Sequence, residues 1–296
     1  MNSRKQHVIR KSHELFIERG FQATSIQDIL DYSGISKGTF YNYFTSKNEL
    51  LISIFRELHS KMEQERNELL IGQDPSDINV FVQQFELQMY INKKNRLTTL
   101  FEEVLISNDP ELKQFLKRAQ LKVVEWTYKR FVEIFGEEKK PYLLDCAIMF
   151  IGILQQNMKF YVLDHDRHTG ISRVVQYSVK RVERIVEELA LSKDQLHDPS
   201  SLDKWLPDHL TADRTFQEEL NEIVNELKTT IRSDKPDDRK YLELINFIQE
   251  ELLHETNPRP FLLENALQPL INSELFNPKE VGRLSKLVSR FFKKKT

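Results

Sequence analysis

The chain has 296 residues, 40% hydrophobic and 10% aromatic, with 43 Lys and Arg against 45 Asp and Glu. This supports one large or two to three smaller domains with real cores, and eight glycines and ten prolines are few enough to favour long helices. The single cysteine, Cys146, excludes an internal disulfide and makes the cytoplasm the expected compartment; the polar start Met1–Lys11 argues against a signal peptide, and no apolar run approaches the ~20 residues that span a bilayer, so no membrane partner is expected.

The overall charge of −2 is unevenly spread. Residues 1–50 carry seven basic against five acidic side chains, a net +2, and the last eighteen residues carry seven basic side chains and one glutamate, a net +6. The middle is therefore acidic, as a solvated helical body is, and the balance leaves room for a DNA partner at the N-terminus.

In chain order, residues 3–19 form a first helix with Val8, Ser12, Leu15, Phe16 and Arg19 along one stripe and Gly20 ending it. Arg4, Lys5, Arg10 and Lys11 face outward. The stretch 24–50 reads as two helices joined by a tight turn. Thr24 or Ser25 caps the first, Asp28 favours its positive end, and Ile26, Ile29 and Leu30 recur at helical spacing. Ser33-Gly34 stops it, because glycine enters the left-handed region without steric cost. Ser36 caps a short second helix, Lys37 to Phe44, with Phe40 and Phe44 on the core side. Lys37, Gly38, Thr39, Tyr41, Asn42 and Tyr43 occupy its other faces. A glycine inside a helix costs about 1 kcal/mol relative to alanine, which close approach of another backbone would explain. Two helices around a glycine turn form the geometry that lays the second helix in a major groove. There Lys meets phosphate or guanine, Thr a thymine methyl, Asn adenine, and the tyrosine hydroxyls phosphate oxygens. Ser46-Lys47-Asn48-Glu49 reads as a capping box whose helix N-terminus and Lys47 offer a phosphate seat.

The run G-F-Q-A-T-S-I-Q-D-I-L-D-Y-S-G-I-S-K-G-T-F-Y-N-Y-F-T-S-K-N-E-L-L (Gly20 to Leu51) resembles the DNA-binding segment of the TetR family of bacterial transcriptional regulators. The resemblance implies an all-α homodimer, a small effector pocket in each subunit, and release of a double-stranded DNA operator when the pocket fills. By matching position it gives Ser25, Gln27, Ser36, Lys37, Gly38, Thr39, Tyr41, Asn42, Tyr43 and Lys47 the DNA-contact role.

Residues 47 to about 70 form a longer helix with Leu50, Leu51, Ile54, Phe55, Leu58 and Met62 on its apolar side, expected to act as the lever of a switch. Helices follow at 76–91, 97–107, 110–135, 138–164 and 171–191. The resemblance puts the dimer contact on the last two. A small hydrophobic effector is expected among Phe81, Phe85, Tyr90, Phe101, Trp126, Phe131 and Phe160, although residues of this kind are more often core than pocket lining. The loop Asp164-His165-Asp166-Arg167-His168 has metal-ligand residue types but no second cluster, and is expected to be a solvated loop.

The resemblance ends near residue 192. Residues 192–210 read as a polar linker, and four helical stretches follow at 211–232, 237–255, 259–273 and 278–293, punctuated by Pro236, Pro258, Pro260 and Pro278. The basic end, Arg283, Lys286, Arg290 and 293–295, is expected to be a solvated tail. The expected organisation is a helix-turn-helix domain at 1–48, an effector and dimerisation domain at 49–191, and a helical extension at 192–296. No catalytic, metal or cofactor constellation is expected: the sequence holds no phosphate loop, H-E-x-x-H, G-x-S-x-G or paired-cysteine set. The leading expectation is a repressor released from a palindromic operator by an effector. The alternative is a constitutive DNA-binding protein whose C-terminal helices recruit a protein partner.

Overall fold

The computed structural model of the chain describes residues 3–106, 109–164, 170–206, 216–231, 239–253 and 258–293. Among them there is no strand. The helices are α1 (Ser3–Arg19), α2 (Ile26–Ser33), α3 (Lys37–Tyr43), α4 (Lys47–Glu68), α5 (Ile78–Lys94), α6 (Leu97–Ile106), α7 (Pro110–Phe135), α8 (Lys140–Asp164), α9 (Ile171–Ser192), α10 (Ser201–Trp205), α11 (Phe216–Thr230), α12 (Arg239–Leu253), α13 (Pro260–Ile271) and α14 (Pro278–Lys293). The all-α expectation holds, and the helix ends sit where local chemistry puts them. Asp109 accepts from Leu112 N at 2.8 Å ahead of Pro110 at the first helical position, and Gly136 closes α7 at φ 88°.

Packing groups the helices into two compact units, α1–α4 with α11–α14, and α5–α10. Helix α4 and the C-terminal helices α11–α14 thus belong to the same unit as the helix-turn-helix.

In the first unit, Val8, Leu15, Phe16, Phe21, Ile29, Phe40, Phe44, Leu50 and Leu51 are fully buried, each side chain worth about 1.5–3 kcal/mol of burial. Phe16 and Phe21 meet edge-on at 5.2 Å. Helices α11–α14 build their own core from residues such as Leu220, Ile223, Leu227, Ile245, Ile248, Leu263, Leu270, Leu284 and Leu287. Helix α11 packs against α4, where a polar chain crosses the contact: Asn221 donates to Ser60 Oγ, Gln249 to Asn221 Oδ1, and Lys228 to Gln249 Oε1. Glu251, almost wholly buried, accepts from Arg259 Nε at 2.9 Å and Nη2 at 2.7 Å, and these bonds hold its carboxyl below the usual range.

Residues 278–293 are helical, as expected, but their basic side chains are not the solvated tail expected: Arg283 pairs with Glu226 at 2.7 Å and with Glu222 at 3.4 Å, and Arg290 pairs with Glu219. Phe291 packs on Phe216 at 4.9 Å. The arginines thus face the acidic side of α11; residues 294–296 lie outside the described residues.

The second unit is built on Phe81 and Phe85 of α5, Phe131 of α7 and Phe150 of α8, all buried. Their ring centroids lie 4.8–5.8 Å apart, within the range where aromatic pairs add to simple burial. Cys146 is unpaired and buried; burial first, then neighbouring Asp145, pushes its thiol up to about 12. The polar linker has more order than its composition indicates. Asp145, buried on α8, accepts from Leu196 N at 2.7 Å, His197 N at 3.1 Å and His197 Nδ1 at 2.7 Å. Leu202 is buried in the same core cluster as Leu143 and Val182, with Trp205 packed against it, so α10 is anchored to the body.

No helix among the described residues is long and apolar enough to cross a membrane.

Candidate nucleic-acid interface

Local chemistry shapes the reading head. Ser25 accepts from Asp28 N at 3.1 Å, and Asp28 accepts from Ser25 N at 2.8 Å and from the serine hydroxyl. This reciprocal cap leaves few orphan donors at the start of α2. The serine's hydroxyl and amide hold the Asp28 carboxyl below its usual range. Thr24, the other candidate cap, donates instead to Gly20 O at 2.7 Å. Gly34 takes φ 68° and its N–H bonds Leu30 O, ending α2. Ser36 then caps α3 by accepting from Thr39 N at 3.1 Å. Helix α3 ends at Tyr43, one residue earlier than expected, with Phe44 as its C-cap.

The buried side of α3 is Phe40 with the following Phe44, ring centroids 5.6 Å apart. Lys37, Gly38, Tyr41 and Asn42 are exposed. Among the described residues, Lys37 and Asn42 make no hydrogen bond or ion pair. Gly38 has no internal reason to be glycine: a Cβ there would meet nothing closer than Ser36 Oγ at 3.9 Å. Thr39 and Tyr43 are half-buried, with Thr39 Oγ1 2.9 Å from Ser36 Oγ.

Other residues of the expected contact set have partners inside the head. Gln27 donates to Asp31 at 2.8 Å. Lys47 Nζ donates to Phe21 O at 2.8 Å and Thr24 O at 2.7 Å and lies over the Phe21 ring at 4.4 Å. It ties the start of α4 to the loop after α1, a role its spacing does not announce. Glu49 reaches back to Thr45 N rather than to the Ser46 cap itself, while Ser46 accepts from Glu49 N at 3.0 Å. On α1, His7 Nε2 lies 3.3 Å from Ser33 O, Lys11 pairs with Glu14 at 2.8 Å and Arg19 with Asp28 at 3.5 Å.

Of the residues expected around an effector, Phe81, Phe85, Trp126 and Phe131 come together, with Phe81 stacked on Trp126 at 5.9 Å. Phe101 is half-buried. Tyr90 and Phe160 are more than half exposed, at 57% and 59%, and stand outside that cluster. Sequence reasoning missed Phe150, which completes it, and the buried polar residues Gln84, Gln88 and Arg130 beside it in sequence. The only signal for these was their placement one turn from the aromatics. Among the described residues no group of His, Cys, Asp and Glu could hold a metal ion; the 165–169 loop lies outside them.

These features define a helix-turn-helix DNA-binding protein. Residues 8–54 match the model for bacterial regulatory proteins of the tetR family. The chain is similar along its whole length to the uncharacterized HTH-type transcriptional regulator YerO of Bacillus subtilis, 28% identical over 302 residues, covering 100% of this chain and 99% of YerO. It is 22% identical to YuxN of the same organism over 285 residues, 93% of this chain and 94% of YuxN. Its resemblance to the HTH-type transcriptional repressor DhaR of Mycobacterium sp. is confined to 60 residues at 33% identity, 20% of this chain and 30% of DhaR. No solved structure matches. The chain thus carries the DNA-binding domain of tetR-family regulators at residues 8–54 and resembles HTH-type transcriptional regulators over its whole length, which makes it a DNA-binding transcriptional regulator.

Proposed function

We propose that the protein is a repressor: a homodimer that holds a palindromic operator through two copies of α3 and releases it when a small, mostly apolar effector enters the body. The observation that carries the reading is the outer face of α3. Lys37, Tyr41 and Asn42 stand exposed there beside a glycine that the fold does not require. A short helix with that surface suits the floor of a major groove, where Gly38 lets the DNA backbone come close. Of the ten contact residues, Lys37, Gly38, Thr39, Tyr41, Asn42 and Tyr43 carry base and nearby phosphate contacts. Ser25, Gln27, Ser36 and Lys47 act mainly by shaping the head that presents them.

Dimerisation is supported by apolar side chains left on the surface of α8 and α9: Phe160, Leu163 and Tyr177 are each more than half exposed. The effector is taken at the aromatic cluster of α5, α7 and α8. Release requires only that the effector prefer a body conformation whose two heads no longer match the half-site spacing.

A gel shift over randomised duplexes, repeated with hydrophobic cations, fatty acids and acyl thioesters, tests this. Specific retention that one ligand class abolishes supports it; the absence of specific retention defeats it. A second reading, a constitutive DNA binder that recruits a protein, draws on the open groove of about 420 Å³ between α13 and α14. Leu267, Ile271, Val288 and Phe292 line it, and Phe261 stands 73% exposed on α13. Operator binding that no ligand alters favours that reading.

A further inference from the structure

Arg130 is out of character with its surroundings. It lies on α7 one turn beyond Trp126, and it is 97% buried, as are its neighbours Gln84 and Gln88 on α5 to a similar degree. Its guanidinium is held on one edge, where Nε donates to Gln84 Oε1 at 3.1 Å. Nη1 reaches Glu133 on the same helix. Nη2 is buried and, among the described residues, has no partner. A buried cation with an unpaired donor is costly, and a structure keeps one where something else completes it.

From this we infer that Arg130 anchors the carboxylate of an acidic, otherwise apolar effector, and that Glu133 stands in for that carboxylate when no ligand is bound. The inference rests on the reading that the body takes the effector. A guanidinium offers two parallel N–H groups along its Nη1–Nη2 edge, the spacing a carboxylate matches with both oxygens. Glu133 uses only half of that edge. Its side chain is 46% exposed against 4% for Arg130, and exposed carboxylates bind cations weakly, so it is exchangeable. A ligand carboxylate takes Nη1 from Glu133 and satisfies Nη2 in the same step, while Gln84 keeps the plane fixed. The rings of Phe81, Phe85 and Trp126 supply the wall for the apolar part: Trp126 lies 5.9 Å from Phe81 and 5.2 Å from Phe85. A cationic ligand meets repulsion here, and a neutral alcohol brings one oxygen and no charge.

The test uses the full chain carrying Trp205→Phe, which leaves Trp126 as the sole tryptophan. Its emission is titrated, below micelle formation, with decanoate, decan-1-ol and decyltrimethylammonium. The expected result is binding of decanoate at least ~10-fold tighter than the other two, a gap of ~1.4 kcal/mol. Arg130→Met erases the preference, and Glu133→Gln, which removes the competing carboxylate, tightens decanoate alone. Equal binding of the alcohol or the cation, no response to any of the three, or decanoate binding unchanged by Glu133→Gln overturns the inference, and the last holds even if Arg130→Met fails to fold. The operator assay separates the two readings. If a cation or alcohol releases DNA, the repressor stands and the Arg130 anchor falls. If decanoate binds with the Arg130 dependence and DNA affinity does not change, the anchor stands and effector release falls.

Discussion

Asn221 on α11 donates to Ser60 Oγ on α4 at 2.7 Å while its own carbonyl accepts from Gln249 on α12 at 2.9 Å. One amide thus joins the helix that follows the reading head to two helices of the C-terminal bundle. Asn221 is 6% exposed, so removing it leaves Gln249 with an unpaired N–H in a place water reaches poorly. Asn221→Ala is expected to destabilise the first unit by about 1–3 kcal/mol, read as a lower urea midpoint. An exposed α13 change such as Asn265→Ala is expected to stay within about 0.5 kcal/mol. Equal midpoints for the two variants would show that the α4–α11 bond contributes nothing.

Lys228 continues the same chain of bonds and is nearly fully buried. Burial depresses its ammonium below the usual 10.5, against an opposing pull from Glu68 and Glu250. Between the depressed folded value and 10.5, the unfolded chain holds more protons than the folded one. Stability therefore rises with pH across that window, and the cost of the buried charge is fully present below it. Comparing urea midpoints at mildly and strongly alkaline pH should show the native protein gaining on Lys228→Met as pH climbs. Parallel pH profiles for the two proteins would contradict this.

Gly38 offers a way to separate folding from recognition. Alanine in a helix interior is favoured over glycine by about 1 kcal/mol, and the added methyl group would sit 3.9 Å from its nearest neighbour. Gly38→Ala is expected to raise the melting temperature slightly and to weaken operator binding. Undiminished operator affinity in this variant would remove the argument that DNA explains the glycine.

Lys37 and Tyr41 carry the complementary prediction. Alanine at Lys37, if it reads a base, costs about 1–3 kcal/mol of specific binding and relaxes the choice at one position. Alanine at Tyr41, if it holds a phosphate oxygen, weakens specific and random duplex alike. Titrating specific and random duplexes over a range of salt distinguishes these outcomes. Retention of full specificity by the double variant would sink the assignment of α3.

Lys47 should behave differently from both. Its ammonium bonds two carbonyls of the loop after α1, so Lys47→Met is expected to lower the stability of the isolated protein as well as DNA affinity. Thermal melts in the absence of DNA check this: an unchanged melt would return Lys47 to the phosphate-contact role its spacing implied.

The reading head was legible because its signals are local. Ser25 with Asp28, Gly34, Ser36 and Ser46 each act on backbone groups within four residues, and the sequence displays such neighbours directly. Helices opened by Pro110, Pro260 and Pro278 were visible for the same reason. Contacts between distant residues were not. Ser60 and Asn221 are 161 positions apart, Gln84 and Arg130 46, and nothing in their neighbourhoods says that they meet. The first pair lies at the contact of α11 with α4, and the second holds the buried cation of the body. The linker was misjudged because two buried leucines, Leu202 and Leu206, are too few to make a periodic stripe, and its main anchor, Asp145, lies on another helix. The same limit made Arg283 and Arg290 look like a tail: their glutamate partners sit more than fifty residues upstream.

The sulfur of Cys146, sealed inside α8 and raised to about 12, gives the body a clock of its own. Alkylating reagents attack thiolate, so the chain's sole sulfhydryl reacts only in the moments when its surroundings part. The pace of labelling counts those moments without any dye or inserted probe, and any molecule that settled among the rings of α5 and α7 would be expected to slow the count.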